Sequence, residues 1–266
     1  MAHTDSLQLQ TLTKEALEQL ARREVIALHI KNYYPSELSK TIADKLQSSS
    51  LFGNYENAQN IGRVGQAYFE GHTSPEIAGR YRKSARNWLA QLRAECSPYI
   101  LPIDRVRLEL DEAWPRGAKL GNLHLDVDTK AFAGLVRIFE KGSGTEIHLD
   151  NLEWDVSAID NAPTEVMIQF AVNCYLDLPQ SGGEVHLWTI SPSKKEYDKY
   201  RNLNSYGMSA KTFGPPHFTF SPQVGDLWLF RASELHQVVE SGNGRRVTQS
   251  CFVGFRGFEQ HLIVWS

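Results

Sequence analysis

The chain is predicted to be a mainly β protein with flanking helices, its strands closing around a ligand cavity. Three patterns carry this expectation. In Val166 to Leu176, side chains alternate: Val166, Ile168, Phe170, Val172 and Cys174 share one face, and Gln169, Ala171 and Asn173 the other. Period-2 alternation marks a strand, and a small, polar inner face beside an apolar outer one suits a barrel with a cavity. Further on, the Gly225-Asp226 turn, the run Leu227 to Phe230, the Gly-rich turn Ser241 to Gly244 and the strand pattern Arg245 to Phe255 follow one another. Finally, helical periodicity belongs to the first hundred residues.

Taken in order, Thr13 to Arg23 reads as a helix, Val25 to Ile30 as a strand, and Pro35 to Gln47 as a helix with Leu38, Ile42 and Leu46 four residues apart. A variable region, Ser48 to Ser74, precedes a long helix from Pro75 to Glu95. These helices are expected to brace one outer face of the barrel. From about residue 104 strands are expected to dominate. The connection between Thr189 and Phe218 is about 28 residues long and carries Tyr197, Tyr200, Tyr206 and Pro215-Pro216. A loop of that length in a compact domain is often a lid, so 190–217 is read as a lid insertion. The expectation is one domain, 1–266, made of a helical support region (1–103) and a β core (104–266).

Composition agrees. At 266 residues with 41% hydrophobic and 11% aromatic content, one large core can be buried. The net charge of −3, with acids and bases interspersed, indicates neither a nucleic-acid nor a membrane partner. No apolar run reaches the ~18 residues of a spanning helix. The polar stretch Met1 to Gln10 lacks a signal-peptide core. Cys96, Cys174 and Cys251 are far apart and odd in number, so they indicate neither a disulfide framework nor a zinc site, and a cytoplasmic setting is expected.

The chemistry is concentrated in His148-Leu149-Asp150, His236 and Arg246. On a strand, residues i and i+2 share a face, so His148 and Asp150 can hold one ion. With His236 they form two imidazoles and a carboxylate, the set that holds non-haem Fe(II) and leaves positions open. His236 and Arg246 are expected on adjacent strands of one hairpin. Strand parity separates Arg246, Thr248, Ser250 and Phe252 from Arg245, Val247, Gln249, Cys251, Val253 and Phe255; the first, more polar face suits a ligand-filled interior, so Arg246 is the expected anion clamp. A second pair, His124-Leu125-Asp126, has no Gly-rich turn before it and reads as solvated strand polarity.

At these residues the chain resembles the Fe(II)/2-oxoglutarate-dependent oxygenases. The resemblance runs through Leu135 to Phe139, Gly142 to Asn151, Gly182 to Trp188 and the segment from Gly225-Asp226 to Arg246, with Val25 to Asn32 and Pro35 to Leu38 similar to the strand and helix before the family's core. Ile61 to Gln66, with Tyr81 downstream, looks closest to the group of carrier-independent small-molecule halogenases and their hydroxylase relatives. The resemblance implies a double-stranded β-helix (jelly-roll, cupin-like) core and Fe(II) held by His148, Asp150 and His236. It further implies 2-oxoglutarate bound by Arg246 with Thr248 or Ser250, Gln169 being a further cosubstrate candidate, and O₂ as the oxidant. In the related halogenases Gly or Ala replaces the carboxylate; here Asp150 implies hydroxylation. Phe139 stands where a tyrosine often touches the cosubstrate. Arg137, Asn173 and Trp188, with Trp265, are candidate substrate contacts; Arg137 could meet a substrate carboxylate or be an internal ion-pair partner. The expected substrate is a small amino-acid-like molecule or natural product. A prolyl-hydroxylase-like enzyme acting on protein residues and a non-catalytic metal-binding jelly roll are the alternatives.

Overall fold

The computed structural model describes all residues except 1–3, 56–57, 73, 123–129, 157–164, 204 and 210–211, with 155 and 156 described by backbone alone. The pair His124 and Asp126 thus lies outside the described residues. The elements run β1 (Thr4–Leu9), α1 (Lys14–Ala21), β2 (Val25–Ile30), α2 (Ser36–Gln47), β3 (Phe52–Asn54), β4 (Ile61–Val64), a 3-10 turn (Tyr68–His72), α3 (Pro75–Cys96) and α4 (Pro102–Ala113). There follow β5 (Ala118–Leu120), β6 (Leu135–Phe139), α5 (Leu152–Val156), β7 (Ile168–Asp177), β8 (Val185–Leu187), α6 (Lys194–Tyr200) and β9 (Phe218–Phe220). The chain closes with β10 (Leu227–Arg231), β11 (His236–Val238), β12 (Arg246–Phe255) and β13 (Leu262–Trp265).

Helix starts follow from local chemistry. Thr13 Oγ1 accepts from Ala16 N at 3.2 Å to cap α1; Ser74 caps α3 with Pro75 in the first turn; Ser193 and Glu196 form a reciprocal box at α6.

The strands form a jelly roll of two unequal sheets. The major sheet has the order β1-β2-β10-β7-β12-β6-β4-β3, with β13 and β5 branching from β12; the minor sheet is β11-β8-β9. The segment before α5 joins the minor sheet through a bridge in which His148 and His236 exchange both backbone hydrogen bonds, at 3.0 and 2.7 Å. Helices α1, α2 and α4 cover the outer face of the major sheet, against β2 and β10, β7, and β12 respectively. On β7 the alternation is as expected: Cys174 sits beside Arg105 of α4, while Tyr175, one residue on, turns its ring to Arg246 inside the roll.

Three expectations need correcting. Residues 102–113 are helical, because Ile103, Val106 and Leu110 recur at helical spacing behind Pro102, so the β core begins later than residue 104. The N-terminal third is not a purely helical support: β1 to β4 extend the major sheet at both edges, β1 pairing parallel to β2. And His236 and Arg246 do not share a hairpin. β11 pairs with β8, whereas β12 pairs with β6, β7 and β13, so the chain crosses from one sheet to the other in the Gly-rich turn.

Candidate metal and cosubstrate site

His148, Asp150 and His236 are positioned by backbone pairing. The reciprocal bond between His148 and His236 fixes two imidazoles side by side, ring centroids 4.3 Å apart. Asp150, two residues on, is anchored by its N–H to Ala232 O at 2.8 Å, and its Oδ2 lies 3.3 Å from His236 Nε2. One ligand atom from each of the three lies within 4.8 Å of the others.

Tautomers follow from partners. His148 Nδ1 is 2.8 Å from Glu146 O, and His236 Nδ1 is 2.9 Å from Glu234 O. A carbonyl only accepts, so each Nδ1 carries the proton and each Nε2 offers its lone pair to the shared point. Both carbonyls are held in turn. Glu146 N–H donates to Tyr206 Oη at 3.1 Å, and the Glu234 carboxylate is gripped by Arg23 at 2.6 Å and Arg231 at 2.7 Å. Burial, reinforced by the neighbouring His236, pushes His148 down to about 4, so the ring is neutral and ready to ligate. Burial alone would raise Asp150, but the adjoining His236 and His148 rings hold the carboxyl below the usual range. The donor set therefore fits a divalent ion with open positions, the facial triad of non-haem Fe(II) oxygenases.

Across the roll, Arg246 is buried between the rings of Phe139 and Tyr175, 5.0 and 5.1 Å from their centroids. Among the described residues its Nε and Thr248 Oγ1 are buried with no hydrogen-bond partner, and the buried Tyr175 hydroxyl has no neighbour to bond except Arg246 itself. Buried donors left unmade are costly, and here they converge on one cationic spot. Burial lowers the affinity of the Arg246 guanidinium for its proton, a cost that an arriving carboxylate would relieve. Parity is settled by Arg245, which points outward to Asp177 at 2.8 Å and to Asp44 and Gln47. Tyr175 was not among the candidates, although it continues the inner face of Gln169, Ala171 and Asn173. Its hydroxyl supplies beside Arg246 the phenol that Phe139 lacks.

The other candidates separate. Thr248 lies beside Arg246 with its hydroxyl unengaged. Ser250 does not: its hydroxyl donates to Leu135 O at 3.2 Å and accepts from Arg137 at 2.6 Å, which leaves it committed within the sheet. Gln169 spends its side-chain oxygen on Leu152 N–H at 2.9 Å, fixing the turn into α5 after the ligands, and is not placed as a cosubstrate contact. Trp188 is buried in a small apolar cluster with Ile147, Leu149, Tyr197, Met208 and Leu235, and donates to Gly214 O at 3.1 Å; it supports the site from behind. Trp265 packs on Phe252 in the main core. Asn173 faces inward opposite Trp228 and Ser250.

Arg137 lines a cavity of about 320 Å³ that opens directly over His148 and Asp150. Tyr55, Ile61 and Phe69 form one wall, Trp154 another, and Tyr197, Arg201 and Tyr206 of the 190–217 insertion a roof. The roof is packed, not loose: Met208 pairs with Ile147 beside His148, and Tyr197 donates to Tyr206 O at 2.6 Å.

A jelly roll that brings two histidines and an aspartate to one point, with a buried arginine across from them, defines a non-haem iron oxygenase. The chain belongs to the family of the carrier-protein-independent halogenase WelO5, whose model matches residues 6–266, and it is an Fe(II)- and 2-oxoglutarate-dependent dioxygenase. It is 27% identical over 205 residues, 74% of this chain and 79% of the relative, to leucinostatins biosynthesis cluster protein S of Purpureocillium lilacinum. Among solved structures, the N-substituted L-amino acid dioxygenase of Burkholderia ambifaria AMMD superposes with a TM-score of 0.65 at 18% identity, covering 96% of this chain and 92% of that one. Its complex with α-ketoglutarate gives 0.63 at 17% identity, covering 95% and 90%. No described helix is long and apolar enough to cross a membrane.

Proposed function

We propose that this enzyme hydroxylates an unactivated C–H bond of a small amino-acid-like or natural-product substrate. The observation that carries the reading is Asp150: within a family whose model describes a halogenase, this chain keeps a carboxylate 3.3 Å from His236 Nε2, where it would fill the coordination position a halide needs. The cavity's volume, at the lower end of the usual 300–1,000 Å³ range of ligand pockets, favours a small molecule over a protein segment. The similarity to a protein of a biosynthesis cluster and to an N-substituted amino acid dioxygenase supports the same substrate class.

Fe(II), with 2-oxoglutarate and O₂, supplies the oxidising chemistry, giving succinate and CO₂. The protein's own residues do the placing. His148, Asp150 and His236 would hold the ion. Arg246 would pair with the far carboxylate of 2-oxoglutarate in a charge-assisted, bidentate contact, with Thr248 and Tyr175 hydroxyls beside it. Phe69, Trp154, Tyr197 and Tyr206 line the cavity, keeping water from the substrate-facing side and presenting the C–H bond to the ligand cluster. Three buried, free cysteines suit a reducing, cytoplasmic compartment.

The test is product mass spectrometry in high chloride or bromide. The wild type should give oxygenated and no halogenated product, while Asp150→Gly should lose most hydroxylation and gain halide or azide binding at the metal. Halogenated product from the wild type, or undiminished hydroxylation by Asp150→Gly, would overturn the reading.

A further inference from the structure

Resting on the reading of this cavity as the substrate site, we propose that the substrate carries a carboxylate, which Arg137 binds. Arg137 sits on β6 opposite Thr248, its guanidinium partly buried and facing the cavity. Among the described residues its hydrogen-bonding partner is a neutral hydroxyl, Ser250 Oγ at 2.6 Å, and it lies over the Phe252 ring at 5.6 Å. No carboxylate among the described residues forms an ion pair with it. The Tyr55 hydroxyl, buried in the cavity wall, lies beside the Arg137 guanidinium and among the described residues has no other hydrogen-bond partner.

Of the other cations that line or flank the cavity, Arg201 of the roof is exposed to solvent and two more are already paired. Arg63 is paired with Glu70 at 2.9 Å and donates to Gly65 O at 2.6 Å; Lys194 at the mouth is held by Asp198 at 2.6 Å. With Fe(II) and dianionic 2-oxoglutarate in place, Asp150 and the cosubstrate would balance the metal and Arg246, leaving Arg137 as the inward-facing charge without a carboxylate. A guanidinium in a low-dielectric cavity with free N–H groups is a carboxylate site, and a hydroxyl such as that of Tyr55 completes it by donating to the second oxygen. The aromatic wall would cover the rest of the molecule. The same chemistry could be met by the 2-oxo-acid carboxylate of the cosubstrate, so the experiment separates the two.

Enzyme loaded with Mn(II) and 2-oxoglutarate, which does not turn over, is titrated calorimetrically with N-acetyl-L-leucine, N-acetyl-L-phenylalanine, N-acetyl-L-tryptophan and their three amides. At least one acid should bind about tenfold or more tighter than its amide. In Arg137→Met that preference should vanish, while Arg137→Lys retains part of it and 2-oxoglutarate affinity, measured without probe, stays near the wild-type value. Failure of every acid to bind, equal binding of acids and amides, or a preference that survives Arg137→Met would overturn the assignment. So would a loss of about tenfold or more in 2-oxoglutarate affinity in Arg137→Met, which would give the arginine to the cosubstrate. Binding is read without turnover, so failure of the hydroxylation reading by halogenated product leaves this result standing.

Discussion

Arg245 and Arg246 are neighbours in sequence and opposites in environment. One is an outward ion-pair partner of Asp177; the other is buried between two aromatic rings with an unsatisfied Nε. Removing one partner of a buried charge pair costs about 3–5 kcal/mol. Arg246→Ala should therefore raise the 2-oxoglutarate requirement on the order of a hundredfold or more, and Arg245→Ala should leave it near normal. Steady-state succinate formation against 2-oxoglutarate concentration measures both, and the reverse ranking would refute the orientation of β12. Parity along one strand was enough to choose between these arginines, because a period of 2 leaves no third direction. Tyr175 was equally accessible to that argument, two residues beyond Asn173, but aromatic residues in apolar strands are commonly core and nothing in the sequence distinguishes a phenol that faces an arginine. Ser250 and Gln169 show the converse: parity placed them inward, and only the neighbours Arg137, Leu135 and Leu152 show that the Ser250 hydroxyl and the Gln169 side-chain oxygen are taken.

Element by element, the sequence was a better guide to strands than to their partners. β7, β10 and β12 fall where alternation and turn residues put them, but the assignment of β11 and β12 to one hairpin failed. A Gly-rich turn is compatible with either a hairpin or a crossing between sheets, and the choice is made by tertiary pairing of β11 with β8. Helix α4 was missed because Val106, Leu108 and Leu110 also alternate as a strand would over a short window. The 190–217 insertion was legible as an insertion, not as a packed roof, since Trp188, Tyr197 and Met208 close their small cluster with Ile147 and Leu149 from a distant segment. Truncating a buried Met to Ala costs about 2–5 kcal/mol. That loss should fall on the roof: Met208→Ala should become sensitive to limited proteolysis within 190–217 and consume more 2-oxoglutarate per product formed, with the thermal midpoint of the barrel little changed. Global unfolding at lower temperature with no local cleavage would show instead that roof and barrel melt as one.

At the scale of the whole molecule, the buried site is linked to pH. His148 is pushed down to about 4 from an ordinary 6.5. In the metal-depleted protein, the unfolded chain takes up a proton below pH 6.5 that the folded chain refuses until about 4, so stability should fall as pH drops through that window. Asp150, held low, adds a further loss only below its usual range. Melting temperatures of chelator-treated wild type and His148→Gln between pH 7 and pH 4 check the sign; an equal decline in both would remove His148 from the cause. The separation of His236 from Arg246 has a mechanical reading as well. With His148 and His236 bonded to the minor sheet and Arg246 buried in the major one, a dicarboxylate that reached from a metal at the histidines to Arg246 would act as a tie rod across the sandwich and damp its breathing. Hydrogen exchange should then slow in β12 and β6 as well as in β11 and β8 when 2-oxoglutarate joins the Mn(II)-loaded protein, and protection confined to the minor sheet would mean that the rod bears no load.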